Sequence, residues 1–208
     1  MGSDIQAVLF DLDGVIVDSK AVVERAWRRW AEEAGIPAGE LLAVLHGRPA
    51  RELVRHFAPL LDADEEAERV ARFELADSVP LIPGARACID LARRRRWAVV
   101  TSGSRALADD RLASSGVPAP DALVTADDVS AGKPDPQPFQ LAAHRLGVAI
   151  DGCIVIEDSP AGVLAGTRAG ATVIAVTTTH DPRALAAADH VLDGMEEVAT
   201  LLRTMGLG

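Results

Sequence analysis

Short apolar runs recur along this chain, most of them separated by helical patterns, and that alternation restricts the fold more than any other feature. The runs are Ala7 to Phe10, Ala98 to Thr101, Ala122 to Thr125, Cys153 to Ile156 and Thr172 to Val176, with a weaker one at His190 to Leu192. Strands that read as continuous hydrophobic stretches are buried on both faces, as they are in parallel sheets covered by helices. The expected fold class is α/β, with a Rossmann-like, doubly wound parallel sheet as its core.

Between the first run and the second, residues 18 to 80 contain no convincing strand. Val22, Val23, Ala26, Trp30 and Ala34 fall on one helical stripe, and amphipathic segments follow near Ala50 to Phe57 and Glu65 to Leu75. An insert this long between strands predicts a separate helical cap. The return to the core is expected at Val79-Pro80-Leu81-Ile82-Pro83-Gly84, where two prolines and a glycine break the helical pattern. The expected division is residues 1–17 and 82–208 for the core and 18–81 for the cap.

Composition narrows the function. A formal charge of −10, from 21 basic and 31 acidic residues, repels nucleic acid and anionic membrane surfaces. Aromatic residues make up only 3% of the chain and Tyr is absent, so a stacking platform for bases is not expected. The tetrad Arg93-Arg94-Arg95-Arg96 closes a helical pattern, where cations complement the helix dipole, and reads as solvated surface. Cys88 and Cys153 stand in apolar surroundings without ligand spacing, and read as reduced core residues. No signal peptide and no run of 18 apolar residues is found, so a cytoplasmic protein acting on a small molecule is expected, and a monomer because no large apolar stripe is left over.

In an open α/β sheet the ligand sits beyond the carboxyl ends of the strands. The first run leads into Asp11-Leu12-Asp13-Gly14, the second into Thr101-Ser102-Gly103-Ser104, and the fourth into Glu157-Asp158-Ser159. A loop before a helix adds Gly132-Lys133-Pro134. Any one of these is common as a turn or a helix cap; together, at one sheet edge, they meet the needs of phosphoryl transfer. Asp11 offers a carboxylate nucleophile, and Asp13 a proton donor for the leaving oxygen that can later activate water. Two anions facing a phosphate dianion call for a hard cation, for which Mg²⁺ is the natural choice, with Asp158 and the adjacent Glu157 as further oxygen donors. Lys133, Ser102 and the Gly103 N–H complete a clamp on the phosphoryl oxygens.

Phe10 to Ser19, Val100 to Ser104, Gly132 to Pro136 and Val155 to Gly162 together resemble the four motifs of the haloacid dehalogenase superfamily, over essentially the whole chain. In detail the chain is similar to the branch with a small helical cap after the first strand, which holds sugar and polyol phosphatases and β-phosphoglucomutase. That resemblance implies a nucleophilic Asp11 and an acid/base Asp13. It implies metal ligation by the side chains of Asp11 and Asp158 and the backbone carbonyl of Asp13, with Glu157 at a position that often binds the metal directly or through water. Ser102 and Lys133 match the phosphate-binding positions. The family's dehalogenases use the nucleophile without the second Asp, so Asp13 favours phosphoryl chemistry. In the cap, His46, Gly47 and Arg48 resemble a substrate-specificity loop, and Ser104 is a further specificity candidate. Val23 stands where the mutase carries a His, and Ala50 where it carries an Arg gripping a second phosphate. A phosphomonoester hydrolase is thus expected, with a phosphomutase or a non-catalytic phosphate-binding regulator as the alternatives.

Overall fold

A computed structural model of the chain describes residues 5–45, 48–75 and 78–208. The core opens with β1 (Ala7–Phe10), completely buried because parallel neighbours flank it on both edges. Four helices follow before the chain returns to the sheet layer: α1 (Lys20–Ala34), α2 (Ala38–Val44), α3 (Ala50–Phe57) and α4 (Ala63–Glu74). The chain then alternates α5 (Ala85–Ala92), β2 (Arg96–Val100), α6 (Arg105–Ser114), β3 (Ala122–Val124), α7 (Gln137–Leu146), β4 (Cys153–Glu157), α8 (Pro160–Ala169) and β5 (Thr172–Val176). It closes with β6 (His190–Leu192) and α9 (Met195–Leu202).

All six strands run parallel in the order β3-β2-β1-β4-β5-β6. The order reverses beside β1, so the carboxyl end of β1 opens into the crevice where ligands of such sheets bind. Two apolar layers sandwich the sheet. One face packs Val8, Phe10, Trp97 and Val99 against α5 and α9, and the other packs Leu9, Val100 and Val155 against α7 and α8.

The cap has a hydrophobic cluster of its own, built on Trp27, Trp30, Leu41, Leu53, Val54 and Val70. Helix α1 buries Val22, Ala26, Trp27, Trp30 and Ala31. Trp27 and Ala31 therefore belong to the buried stripe, while Val23 and Ala34 lie at its half-buried margins, as a period of 3.6 residues allows. The two chain crossings between cap and core run side by side. Val17 bridges Leu81, Asp18 N donates to Pro80 O at 2.8 Å, and Ile82 N to Ile16 O at 2.9 Å. Arg93 to Arg96 are exposed at the end of α5 and the start of β2, as expected of solvated surface.

Candidate active site

The loop after β1 is wound tightly by its own backbone. Asp11 N continues the ladder to Ile156 O at 2.9 Å, and Gly14 N donates to Val17 O at 2.8 Å. Gly14 has φ +79°, and a Cβ there would lie 2.0 Å from Asp158 Oδ2. Glycine is required both for the left-handed backbone and for the approach of Asp158. This places Asp11, at the end of β1, and Asp158, just after β4, on either side of one bare backbone turn.

Lys133 reaches the same point from the loop before α7. Gln137 Oε1 steadies that loop by accepting from Ser130 N at 3.1 Å and Ala131 N at 2.8 Å. The Lys133 ammonium is buried, and donates to Asp11 Oδ1 at 2.5 Å, Glu157 Oε1 at 2.5 Å and Val100 O at 3.0 Å. The other Glu157 oxygen accepts from Asp158 N at 3.0 Å, Ser159 N at 3.0 Å and Ser159 Oγ at 2.9 Å. Glu157 thereby ties the lysine to the start of α8. A Cβ on Gly162 would stand 1.8 Å from its carboxylate, so the glycine in the first turn of α8 makes room for it. Thr179 donates its hydroxyl to Asp158 Oδ2.

Charge is crowded here. Carboxylate oxygens of Asp11, Glu157 and Asp158 lie within 4.8 Å of one another. Burial pushes the Asp11 carboxyl up to about 7, with Lys133 pulling it down and Glu157 and Asp13 pushing it further up. Burial also drives Asp158 well above the usual carboxylate range, helped by Glu157 and Asp11. Burial works against the charge of Lys133, but Asp11 and Glu157 more than offset it and hold the ammonium protonated. Were all three carboxylates ionised, one ammonium would leave negative charge unbalanced, an imbalance that, together with burial, the raised Asp11 and Asp158 carboxyls reflect, and the donors are all hard oxygens. That set fits a divalent cation of the Mg²⁺ type.

Asp11, Asp13, Ser102, Gly103, Ser104, Lys133, Asp158 and the cap residue Arg48 line one cavity of about 890 Å³. This falls in the range of small-molecule sites. Val23 and Ala50 line it too, whereas Glu157 lies behind Lys133. The Ser104 hydroxyl accepts from Leu107 N at 3.4 Å and caps α6. His46 and Gly47 lie outside the described residues.

Four residues at the site were not among the candidates from sequence: Thr179, Ser19, Arg111 and Glu74. Asp13 accepts from Ser19 Oγ at 2.5 Å and from the guanidinium of Arg111 at 2.7 Å. The same guanidinium pairs with Glu74, the last residue of α4. Burial pushes the Glu74 carboxyl up to about 7 while Arg111 pulls it down. The signal that could have found this pair is a charge on an apolar stripe. Arg111 shares the buried face of α6 with Leu107, Ala108 and Leu112, and Glu74 lies one turn after the buried Val70 on α4.

Comparison with known proteins places this geometry. A family model for hydrolases, described as haloacid dehalogenase-like hydrolase, matches residues 5–170. The chain belongs to this family. Members similar to it include hexitol phosphatase A of Escherichia coli (strain K12), 42% identical over 205 residues and covering 95% of each chain. Validoxylamine A 7'-phosphate phosphatase of Streptomyces hygroscopicus subsp. limoneus is 38% identical over 203 residues, covering 93% of this chain and 95% of the other. Among solved structures, a hydrolase from Pseudomonas syringae superposes with a TM-score of 0.83 at 26% identity, over 95% of this chain and 98% of that one. As a haloacid dehalogenase-like hydrolase, the chain is an enzyme built on an α/β core like that of its relatives.

Proposed function

We propose that this chain is a Mg²⁺-dependent phosphatase of a small phosphorylated sugar or polyol, working through an aspartyl-phosphate on Asp11. The observation that carries the reading is Lys133 donating to Asp11 at the floor of a cavity that Asp13 also lines. A nucleophile, a proton carrier and a buried cation meet there. The printed names of the relatives, a hexitol phosphatase and a phosphatase of a phosphorylated metabolite, support the substrate class.

Asp11 attacks phosphorus in line, and the bond from phosphorus to the leaving oxygen breaks as that oxygen takes a proton from Asp13. Lys133 and the Ser102–Gly103 turn hold the phosphoryl oxygens while charge builds on them. Asp13, now anionic, takes a proton from water, which attacks the aspartyl-phosphate, releasing inorganic phosphate and restoring Asp11. A divalent cation held by Asp11, Asp158 and the Asp13 carbonyl would neutralise the repulsion between carboxylates and phosphate. Glu157 serves this set from behind, by fixing Lys133 and the start of α8. Val23 and Ala50 present no ionisable group to the cavity, which favours water over a second sugar as the acceptor.

Residues 18–81 form the cap and 1–17 with 82–208 the core, the paired crossings at Val17 and Leu81 serving as hinge. Pro49 over Gly132 and the Arg51–Asp127 pair at 3.7 Å suit a cap that seats over the phosphate end. Cys88 and Cys153 are free and buried, in keeping with a reducing cytoplasm. The test is a panel of phosphorylated sugars and polyols together with p-nitrophenyl phosphate, with Mg²⁺ and with EDTA. Metal-dependent release of phosphate, fastest from a hexitol or sugar phosphate, is expected. Failure to turn over any phosphomonoester, or turnover indifferent to EDTA, would sink the reading.

A further inference from the structure

We infer that Arg111 and Glu74 are positioning residues for Asp13, and that they make its placement conditional on the seating of the cap. The inference rests on the proton-transfer role proposed for Asp13. Its starting point is a cost. A guanidinium buried on the apolar face of a helix must recover its lost hydration from partners, and an apolar residue of similar size would pack there with less penalty. Arg111 is 5% exposed, and its two ends are spent on different parts of the molecule, one on Asp13 and the other on Glu74. A fork of donors suits that bridging task, which a lysine would perform poorly.

Glu74 belongs to the cap and Arg111 to the core. Among the described residues theirs is the only buried ion pair that joins the two, Arg51–Asp127 being exposed. The second contact of Asp13 also comes from the cap's edge. Ser19 occupies the N-cap position of α1, where a serine ordinarily accepts from a backbone N–H of the first turn, but it makes no such bond. Its hydroxyl goes to Asp13 instead. The entrance of the first cap helix and the end of the last thus converge on one carboxylate, the first directly and the second through Arg111.

The consequence follows from the hinge. When the cap swings about the crossings at Val17 and Leu81, Glu74 leaves Arg111, and the arginine loses the anion that fixes its far end. Asp13 is held in one orientation only while the cap is seated. Proton transfer to the leaving oxygen is thereby tied to the state in which the cap covers the substrate.

The experiment compares Arg111→Met, Glu74→Gln and the double variant Arg111→Met/Glu74→Met on two substrates, a hexitol phosphate and p-nitrophenyl phosphate, with Asp13→Ala as reference. An alkyl leaving group needs the acid and a nitrophenolate hardly does. Arg111→Met is expected to lower kcat on the hexitol phosphate about 100-fold, at the lower end of what a general acid contributes, with KM little changed. Its loss on the aryl phosphate is expected to be several-fold smaller. Glu74→Gln should show a weaker loss with the same alkyl bias. The double variant leaves no buried charge unpaired, so it should keep the wild-type melting temperature while retaining the alkyl-selective loss. Added to Asp13→Ala, Arg111→Met should cost nothing further on either substrate. An alkyl-selective loss in Asp13→Ala that Arg111→Met does not share, or a loss that persists undiminished in the Asp13→Ala background, overturns this inference alone. A raised KM at unchanged kcat also overturns it, since Arg111 would then be a substrate ligand. Equal losses on both substrates in Asp13→Ala would remove the proton-transfer role itself, and this inference with it.

Discussion

The edge of the sheet and the Arg48–Arg51 stretch of the cap hold charge in opposite ways. At the sheet edge, Asp11, Lys133, Glu157 and Asp158 are buried, and each is fixed by short contacts from at least one neighbour. On the cap, Arg48 is exposed, and Arg51 is shared between Asp64 at 2.5 Å and Asp127 at 3.7 Å with 44% of its side chain open to solvent. Exposed pairs contribute about 0–1 kcal/mol, whereas breaking a buried one costs about 3–5 kcal/mol. The buried charges of the core can therefore change little without losing chemistry, stability or both. The stretch of the cap from Arg48 to Arg51, exposed at both ends, can exchange side chains cheaply, unlike the buried Glu74, and in the proposed function that stretch is where leaving groups are selected.

The largest effect is expected at Asp11. Asp11→Asn removes the proposed nucleophile, and turnover of every phosphomonoester should fall on the order of 10⁴-fold or more, as for other nucleophile losses, while the fold stays intact by circular dichroism. Retention of a few per cent of activity would deny Asp11 its role.

Next come Lys133, the proposed clamp on the phosphoryl group, and Asp158, the proposed metal ligand, which should differ in their response to metal. Lys133→Ala should lower kcat about 100- to 1000-fold at every Mg²⁺ concentration, the range for a lost donor at a developing charge. It should also destabilise the chain, because Asp11 and Glu157 lose their shared cation. Asp158→Asn should be partly rescued by high Mg²⁺. Rescue of the lysine variant, and not of the aspartate variant, would reverse these assignments.

The smallest and most selective effect is expected in the cap. Arg48→Ala should lower kcat/KM for the preferred metabolite about tenfold, the equivalent of one lost hydrogen bond to a charged group, and leave p-nitrophenyl phosphate nearly unchanged. Parallel losses on the two would show that Arg48 serves the common machinery, and the contrast between cap and core would lose its functional meaning.

The sequence disclosed these two regions unequally, for physical reasons. Strands buried on both faces write themselves as apolar runs, so all six were visible, although β2 begins earlier than its run, at Arg96. That residue pairs with Ala7 in the sheet while its guanidinium donates to Leu146 O at 2.7 Å, so polarity at the strand's start did not prevent pairing. Helix α2 was missed because seven residues containing Gly39 bury only Leu41 and leave no periodic stripe. The residues at strand ends were readable as motifs, since their spacing is local. Arg111 and Glu74 were not, because they lie 37 residues apart and meet only through the packing of cap on core. Thr179 likewise reaches Asp158 from the loop after β5, 21 residues along the chain. Ser19 was hidden differently, because a serine just before a helix ordinarily caps it, and this hydroxyl goes to Asp13 instead.

The most direct test of the core's role is to trap the covalent state. Enzyme mixed with Mg²⁺ and excess substrate, quenched in acid within the turnover time and digested, should yield a peptide phosphorylated at Asp11, and Asp13→Ala should accumulate more of it wherever hydrolysis slows more than formation. Full turnover with no phosphate on Asp11, or phosphate found on another residue, would contradict the account.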